Sequence, residues 1–154
     1  MEYILGHKSG GCIFCPPATT DRDRELLLLH RGPHSLVMMN RYPYNNGHLL
    51  VFPARHVPDL DGLSLEEATD LVGMVRASIG VLREAMRPEG FNVGLNLGRV
   101  AGAGVEEHVH FHIVPRWNGD TNMMTVIGEV RVIPEHLLAT YDKLRPLFQR
   151  LQAG

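Results

Sequence analysis

The feature that most constrains the fold is a run of alternating residues, His108-Val-His-Phe-His-Ile-Val114. Successive side chains of a β-strand point to opposite faces, so a strand over residues 108–114 carries three imidazoles on one face. Its other face carries apolar side chains, namely Val109, Phe111 and Ile113. We therefore predict a strand whose apolar face packs on a helix, with neighbouring imidazoles about 6.6 Å apart along the strand.

The imidazole face has more than one interpretation. It could be a solvated strand face that happens to carry histidines, although three in strict alternation favour a site. Near neutral pH an imidazole is both a nucleophile and a proton carrier, which suits phosphoryl or nucleotidyl transfer as well as zinc binding. One phosphate group or one metal ion would be within reach of neighbouring rings. The alternation alone does not choose between these chemistries.

The rest of the chain predicts more strands and two helices. Short apolar runs bounded by turn residues predict strands over 24–30, 34–39, 48–53 and 91–97. Residues 118–133 give the weakest pattern, with short edge strands expected around Thr125–Ile127 and Val130–Ile133. With one long helix, these strands predict an α+β domain with an antiparallel sheet of about five strands.

The long helix is predicted from apolar residues at steps of three and four. Its expected buried face consists of Leu65, Ala68, Val72, Val75, Ile79, Leu82 and Met86. Ser64 and Glu67 form a capping-box pattern at its start, while Pro88 and Gly90 end it. A second helix is expected to open at Pro134 and to break at Pro146. Its expected apolar face consists of Leu137, Tyr141, Leu144, Phe148 and Leu151.

Composition limits the classes of protein that this chain can represent. It has 154 residues, 44% apolar and 21% charged, which is typical of a single globular domain, residues 1–154. We divide it into a core, 12–145, and a helical tail, 146–154. Fifteen basic and seventeen acidic residues give a net charge of -2, which argues against nucleic acid as a partner. No apolar run approaches the roughly 20 residues of a membrane span, and no signal-peptide pattern is present, so we expect no membrane partner and a cytoplasmic location.

Two further patterns suggest ligand binding. A loop over 98–104 contains Gly98, Gly102 and Gly104, which permit positive φ angles and let successive N–H groups face an anion, although ordinary turns share this composition. The pair Cys12 and Cys15 could be a redox pair, plain surface thiols or half of a zinc site. Arginines near these motifs could balance the charge of a substrate or lie in solvent, namely Arg41, Arg55, Arg99 and Arg116. Four other histidines receive no role, namely His7, His30, His34 and His136.

The segment HVHFHIVP resembles the histidine-triad motif, in which three histidines alternate with apolar residues. The resemblance covers roughly residues 12–145 and includes the upstream strand Gly47-His48-Leu49-Leu50-Val51. The segments FNVGLNLG at 91–98 and PRWNGD at 115–120 are similar to a bacterial branch of this superfamily that cleaves diadenosine tetraphosphate by phosphorolysis. The chain is therefore identified as a member of the histidine-triad superfamily of nucleotide hydrolases and transferases.

The resemblance implies a role for each matching position in the triad. His110 matches the nucleophile that attacks the α-phosphate and becomes a nucleotidyl-histidine. His112 matches the residue that contacts the phosphate and the leaving group. His48 matches a fourth histidine that supports the triad, and His108 is its first member. No catalytic cofactor is required in this scheme.

The resemblance also implies a set of substrate contacts beside His112. Asn40 lies where relatives hold the ribose hydroxyls, and Leu50 lies where the base is sandwiched. Asn96, Gly102 and Gly104 match the loop on the phosphate side. Gly104 departs from the pattern, because close relatives often present a serine hydroxyl there and this chain can offer only a backbone N–H.

A structural zinc and a homodimer are implied by the same resemblance. Some members, and the related uridylyltransferases, bind zinc through a cysteine pair, a histidine after the Gly-His strand and the first triad histidine. The matching ligands here are Cys12, Cys15, His56 and His108. Two thiolates and two imidazoles make the closed tetrahedral set of a structural zinc site. Family members pair through the long helix and a sheet edge, which implies a continuous sheet of about ten strands.

The function predicted from this resemblance is nucleotidyl transfer on dinucleoside polyphosphates. Diadenosine tetraphosphate would be cleaved by inorganic phosphate to ATP and ADP through His110. One alternative is a dinucleoside polyphosphate hydrolase or purine nucleoside phosphoramidase that uses water as acceptor. An alternative from another class is a nucleotide-binding zinc module without turnover, against which the presence of both His110 and His112 argues.

Overall fold

The computed structural model describes residues 11–121 and 135–152. The sheet has five strands: β1 Leu28–Arg31, β2 Ser35–Met39, β3 Leu49–Pro53, β4 Gly90–Leu95 and β5 Phe111–Arg116. Their order across the sheet is β1-β2-β3-β5-β4, and every neighbouring pair is antiparallel. The predicted α+β class with a five-stranded antiparallel sheet is confirmed. The expected helix start at Pro134 and the expected edge strands around 125–127 and 130–133 lie outside the described residues.

In the described part of the chain the sheet is accompanied by three α-helices: α1 Asp23–Leu26, α2 Leu65–Met86 and α3 Leu137–Gln152. Short 3-10 turns cover Leu60–Gly62 and Arg99–Ala101. The capping box at the start of α2 is present, because the Ser64 hydroxyl accepts from Glu67 N–H and the Glu67 carboxylate accepts from Ser64 N–H. Among the described residues, no helix has the length and apolar character needed to cross a membrane.

The two faces of the sheet have different coverings. One face packs against α2 and α3 around Val37, Val51, Ile113, Leu82 and Phe148, all fully buried or nearly so. The other face carries the histidines together with a smaller apolar cluster: Phe14, Leu28, Leu36, Met38, Leu50 and Phe52. The alternation of side chains along β3 and β5 thus separates the main core from the imidazole face.

Two expectations for individual strands are wrong. The strand expected over 24–30 begins with the helical turn α1, followed by Leu27 in the left-handed region at φ 60°, so only residues from Leu28 onward pair. The strand expected over 108–114 begins at Phe111, because residues 108–110 run beyond the paired ladder. Residue Val109 instead donates its N–H to the Val57 carbonyl at 2.8 Å.

The helix faces also differ from expectation. Leu65 and Val72 on α2 are 85% and 60% exposed, while the buried stripe includes Leu71, Val75 and Leu82. Helix α3 does not break at Pro146 but continues to Gln152. Phe148, which follows Pro146, is fully buried against the main core.

Candidate active site and metal centre

The triad histidines and His48 lie on one side of the sheet. The ring centroids of His110 and His112 are 5.0 Å apart, and those of His112 and His48 are 5.2 Å apart. Strand β5 supplies His112 directly, while His110 and His108 extend from the start of that strand. Residue His112 is paired across the sheet with Leu50 on one side and with Gly94 on the other. Since Gly94 has no side chain, the β4 side of the His112 ring has no neighbouring side chain at that register position.

Hydrogen bonds define the tautomers of His48 and His112. The backbone N–H of Tyr44 donates to His48 Nδ1 at 3.0 Å, so this nitrogen carries a lone pair. The neutral His48 ring therefore carries its proton on Nε2, which donates to His112 Nδ1 at 3.0 Å. By the same logic the proton of neutral His112 is on Nε2. The chain of bonds leaves a His112 N–H group as a donor for a ligand.

The tautomer of His110 is set by its own backbone neighbourhood. Its Nδ1–H donates to the carbonyl oxygen of His108 at 2.9 Å, which leaves the lone pair on Nε2. Burial lowers the pKa of His110 below its usual range. Burial, with a further contribution from His110, lowers the pKa of His112 to about 4. Both rings are therefore neutral at pH 7, and His110 presents an unprotonated nitrogen.

Aromatic rings that the sequence analysis did not single out flank the histidines. The ring of Phe14 lies 4.6 Å from that of His110, with 2% of the phenylalanine exposed. The ring of Tyr44 is parallel to that of His112 within 5° at 5.9 Å, although the tyrosine is 55% exposed. Both residues occur in segments without a regular period. The only sequence signals were the position of Phe14 between two cysteines and the position of Tyr44 shortly before Gly47-His48.

The predicted substrate contacts divide into two groups. Asn40 lies beside His48, with its Nδ2 3.4 Å from His48 Nδ1 and its Oδ1 accepting the Tyr42 N–H at 2.9 Å. Leu50 is buried next to His112 on the imidazole face. The described hydrogen bonds tie Asn96 to the Gly102 carbonyl at 3.3 Å rather than to a histidine.

The glycine loop follows β4. Gly98 and Gly102 have φ angles of 80° and 93°, where a side chain would be strained, whereas Gly104 has no positive φ. Two of the three glycines thus use the conformational freedom that the sequence predicts. Val105, which follows the loop, packs against the apolar cluster on the imidazole face, so the end of the loop approaches that face.

Two of the arginines that could balance substrate charge form salt bridges within the chain. Arg116 forms a salt bridge with Asp120 at 2.7 Å, and Asp120 also accepts the Trp117 N–H and an Asn45 N–H. Arg116 holds the pKa of that carboxyl well below its usual range. Arg55 forms a salt bridge with Glu67 at 2.7 Å. The segment at 115–120 therefore comprises the end of β5 and the hydrogen-bonded turn that follows it.

Two of the unassigned histidines cap or cross-link elements. His136 precedes α3 and accepts the Leu138 N–H on Nδ1 at 3.2 Å, which satisfies one of the free N–H groups of the first helical turn. His34 is 3.2 Å from the Glu66 carboxylate. His30 is buried, and its Nδ1 has no hydrogen-bond partner among the described residues.

A second cluster joins both cysteines to two histidines. The ligand atoms of Cys12, Cys15, His56 and His108 all lie within 4.8 Å of one another. Cys12 and Cys15 Sγ are 3.5 and 3.7 Å from His108 Nδ1, and Cys15 Sγ is 3.4 Å from His56 Nδ1. The expected ligand set thus forms a candidate metal centre.

The donor set fits a tetrahedral zinc ion. Zn–S and Zn–N bonds of about 2.3 and 2.0–2.1 Å separate sulfur and nitrogen by about 3.5 Å at the tetrahedral angle, close to the distances present. His108 Nε2–H donates to the Pro53 carbonyl at 2.8 Å, so its lone pair is on Nδ1, facing the sulfur atoms. Burial raises the pKa of the Cys12 thiol to about 11. A bound cation would therefore displace a thiol proton at neutral pH.

Comparisons with known proteins agree with this fold. The family model described as the HIT domain matches residues 25–119. The AP-4-A phosphorylases of two Mycobacterium tuberculosis strains are 47% identical over 118 residues, covering 77% of this chain and 60% of theirs. The chain thus spans less than two thirds of the length of those relatives.

Other relatives match over more of their own length. An adenosine 5'-monophosphoramidase of Schizosaccharomyces pombe is 31% identical over 133 residues, covering 86% of this chain and 95% of its own. The crystal structure of a zinc-bound histidine triad family protein from Mycobacterium smegmatis gives a TM-score of 0.66 at 25% identity, covering 82% of this chain and 86% of the other. The family expectation is confirmed, and the chain belongs to the HIT domain, or histidine triad, family.

Proposed function

We propose that this chain transfers a nucleotidyl group from a dinucleoside polyphosphate, with His110 as the nucleophile. The observation that carries the proposal is the hydrogen bond from His110 Nδ1–H to the His108 carbonyl at 2.9 Å. It leaves the Nε2 lone pair available, and burial keeps the ring neutral. When Nε2 bonds to phosphorus the ring becomes cationic, and the same carbonyl stabilises the positive Nδ1–H group.

The first step forms a nitrogen–phosphorus bond and breaks the bond from the α-phosphorus to its bridging oxygen. With diadenosine tetraphosphate as substrate, the electron pair of the broken bond leaves on ATP, and AMP stays attached to His110. His112 donates its Nε2–H to the phosphate and the leaving oxygen, where negative charge develops. His48 holds His112 in the tautomer that permits this donation.

Substrate binding is assigned to groups around this centre. Asn40, beside His48, holds the ribose hydroxyls, and Leu50, beside His112, contacts the base. Asn96, Gly102 and Gly104 contribute polar groups on the phosphate side of the loop. Small nucleotides and inorganic phosphate are the proposed ligands.

In the second step an oxygen of inorganic phosphate attacks the AMP phosphorus, and the electron pair of the nitrogen–phosphorus bond returns to His110 Nε2. The products are then ADP and ATP. This choice of acceptor is supported by the mycobacterial relatives, which are named AP-4-A phosphorylases and share 47% identity over 118 residues. It extends their activity to a chain that spans 60% of their length.

Product analysis tests this assignment. The purified protein is incubated with diadenosine tetraphosphate at increasing phosphate concentrations, and nucleotides are separated by chromatography. We expect phosphate to accelerate cleavage and to replace AMP by ADP while ATP forms throughout. A rate and product ratio that do not respond to millimolar phosphate contradict phosphorolysis.

A second candidate function uses water as the acceptor. The fission yeast monophosphoramidase matches over 95% of its own length, which favours a hydrolase or phosphoramidase acting through the same nucleophile. Cleavage of an adenosine phosphoramidate to AMP, with no ADP when phosphate is added, would support this candidate. Nucleotide binding without release of any product would instead support a non-catalytic module.

We also propose that Cys12, Cys15, His56 and His108 bind a structural zinc ion. Three sulfur–nitrogen distances of 3.4–3.7 Å and the orientation of His108 Nδ1 support this proposal. A bound zinc would supply a fixed link between the turn at residues 12–15, the segment after β3 and the segment that leads into β5. No reaction step depends on the metal.

A homodimer is proposed on the basis of the sheet edge. Among the described strands, β4 lies at an edge of the sheet and pairs on one side only, and its Val93 is 44% exposed. On the exposed part of α2, Val72 adds apolar surface. Pairing of two β4 edges would cover unpaired backbone groups and produce a continuous sheet of about ten strands.

A further inference from the structure

The segment between the two cysteines carries a buried aromatic side chain. Cys15 N–H donates to the Cys12 carbonyl at 3.0 Å, so residues 12–15 form one tight turn with a cysteine at each end. Phe14, inside this turn, is 2% exposed, whereas its neighbour Ile13 is 54% exposed. The turn therefore points both sulfur atoms at His108 and inserts one phenylalanine into the imidazole face.

Phe14 contacts the ring that presents the nucleophilic nitrogen. Its ring centroid is 4.6 Å from that of His110, 5.6 Å from that of His108 and 4.7 Å from that of Phe52. These separations are typical of packed aromatic pairs. The His112 ring is also close to that of His110, with centroids 5.0 Å apart.

Rotation of the His110 ring is therefore restricted by two contacts and one hydrogen bond. The hydrogen bond from Nδ1–H to the His108 carbonyl determines which edge of the His110 ring faces the backbone. The Phe14 and His112 rings limit tilting of the His110 ring. A nucleophile must be held within a few tenths of an ångström of the attack position, because a shift of about 1 Å can cost about a hundredfold in rate.

We infer that Phe14 is a positioning residue for His110, and that a metal ion in the cysteine–histidine cluster orders His110 by fixing the turn that holds Phe14. The inference rests on the proposed role of His110 as nucleophile only for its effect on rate. The ordering itself is a property of the folded chain. It gives the metal centre a role in the adjacent site without a metal–substrate contact.

The test compares Phe14→Ala and Phe14→Leu with a control from the same apolar cluster. Leu36→Ala is suitable because Leu36 is buried in that cluster on β2 and its side chain has no aromatic ring to stack on a histidine. We expect Phe14→Ala to lower kcat about tenfold to a hundredfold with little change in KM, Phe14→Leu to retain more activity, and Leu36→Ala to lower Tm without lowering kcat. Equal loss of Tm and unchanged kcat for Phe14→Ala would overturn the positioning role.

A second measurement does not depend on turnover. Nitrogen-15 NMR of the imidazoles, with His110 assigned by a His110→Gln variant, is recorded on metal-free protein and after one equivalent of zinc chloride. We expect zinc to sharpen the His110 signals into the Nδ1–H tautomer in the parent protein and in Leu36→Ala, but not in Phe14→Ala. Identical His110 signals with and without zinc would overturn the coupling. If the parent protein cleaves no nucleotide, the proposed function fails while this measurement still decides the inference.

Discussion

Replacing His48 with leucine tests the hydrogen-bonded chain that orients His112. His48 is fully buried, accepts the Tyr44 N–H and donates to His112 Nδ1, both at 3.0 Å. Leucine has a similar volume and can make neither bond. Tyr44 lies in an exposed loop where water can replace the lost partner, but half-buried His112 is left with an unsatisfied nitrogen.

The expected losses of stability and of kcat follow from the unsatisfied nitrogen of His112. An unpaired polar group in such a position costs about 1–3 kcal/mol, so the free energy of unfolding should fall by that amount. If the same bond fixes the His112 tautomer in the transition state, losing about 1–3 kcal/mol there lowers kcat by about fivefold to 150-fold. Urea unfolding, steady-state kinetics on diadenosine tetraphosphate and nitrogen-15 NMR of His112 give the three readouts.

The chain supplies a matched control in His30. It is also buried, at 4% exposure, but its Nδ1 has no hydrogen-bond partner among the described residues. His30→Leu should leave kcat unchanged, because the buried His30 ring lies against Phe148 and not against His112. The reasoning is refuted if His48→Leu keeps both its kcat and the Nε2–H tautomer of His112.

Four further predictions follow from the proposed sites. His110→Ala should abolish turnover while nucleotide binding, measured by calorimetry, persists; turnover within about tenfold of the parent would rule out the covalent route. Elemental analysis should find one zinc ion in the parent protein, and the double variant Cys12→Ser with Cys15→Ser should lack it and have a lower Tm. A parent protein that is prepared without chelators and contains no zinc contradicts the site. The pKa of His112 is lowered to about 4, so the unfolded state binds more protons than the folded state between about pH 6.5 and 4. The free energy of unfolding should therefore fall as pH decreases through that window, and His112→Asn should flatten this pH profile. An unchanged slope in urea titrations of the variant would oppose the assignment. Light scattering should report a dimer of the 17.2 kDa chain that Val93→Lys dissociates, whereas a parent monomer at micromolar concentration speaks against pairing at β4.

The sequence predicted the secondary structure best where a signal depended only on residues close together in the chain. Ser64 and Glu67 defined the start of α2 because a capping box depends only on residues three positions apart. The apolar run at 24–30 has no period of either kind, so nothing local distinguished the helical turn α1 from the strand that follows. On α2, Leu65 and Val72 fit a helical spacing but remain exposed, because the neighbouring sheet and α3 decide which stripe is covered.

The candidate site divides in the same way. The alternation in 108–112 determined that the imidazoles share a side, and the cysteine spacing determined that two thiols can face one ligand, since both follow from backbone geometry over a few residues. Which tautomer each ring adopts depends on partners distant in the chain. Examples are His48 for His112 and the Pro53 carbonyl for His108.

The sequence alone was sufficient to identify the family motif, to predict most of the strands and the two long helices, and to name the side chains of the candidate metal centre. Only the tertiary structure decided that Phe14 packs on His110, that Phe148 belongs to the core, and that Arg116 pairs with Asp120. The physical reason is that patterning fixes the face on which a side chain lies, whereas its contacts depend on how separate elements pack. The turn at residues 12–15 and the strand β5 are almost 100 residues apart in the chain, with Cys12 and His108 separated by 96 positions, and they meet only because the sheet brings them together.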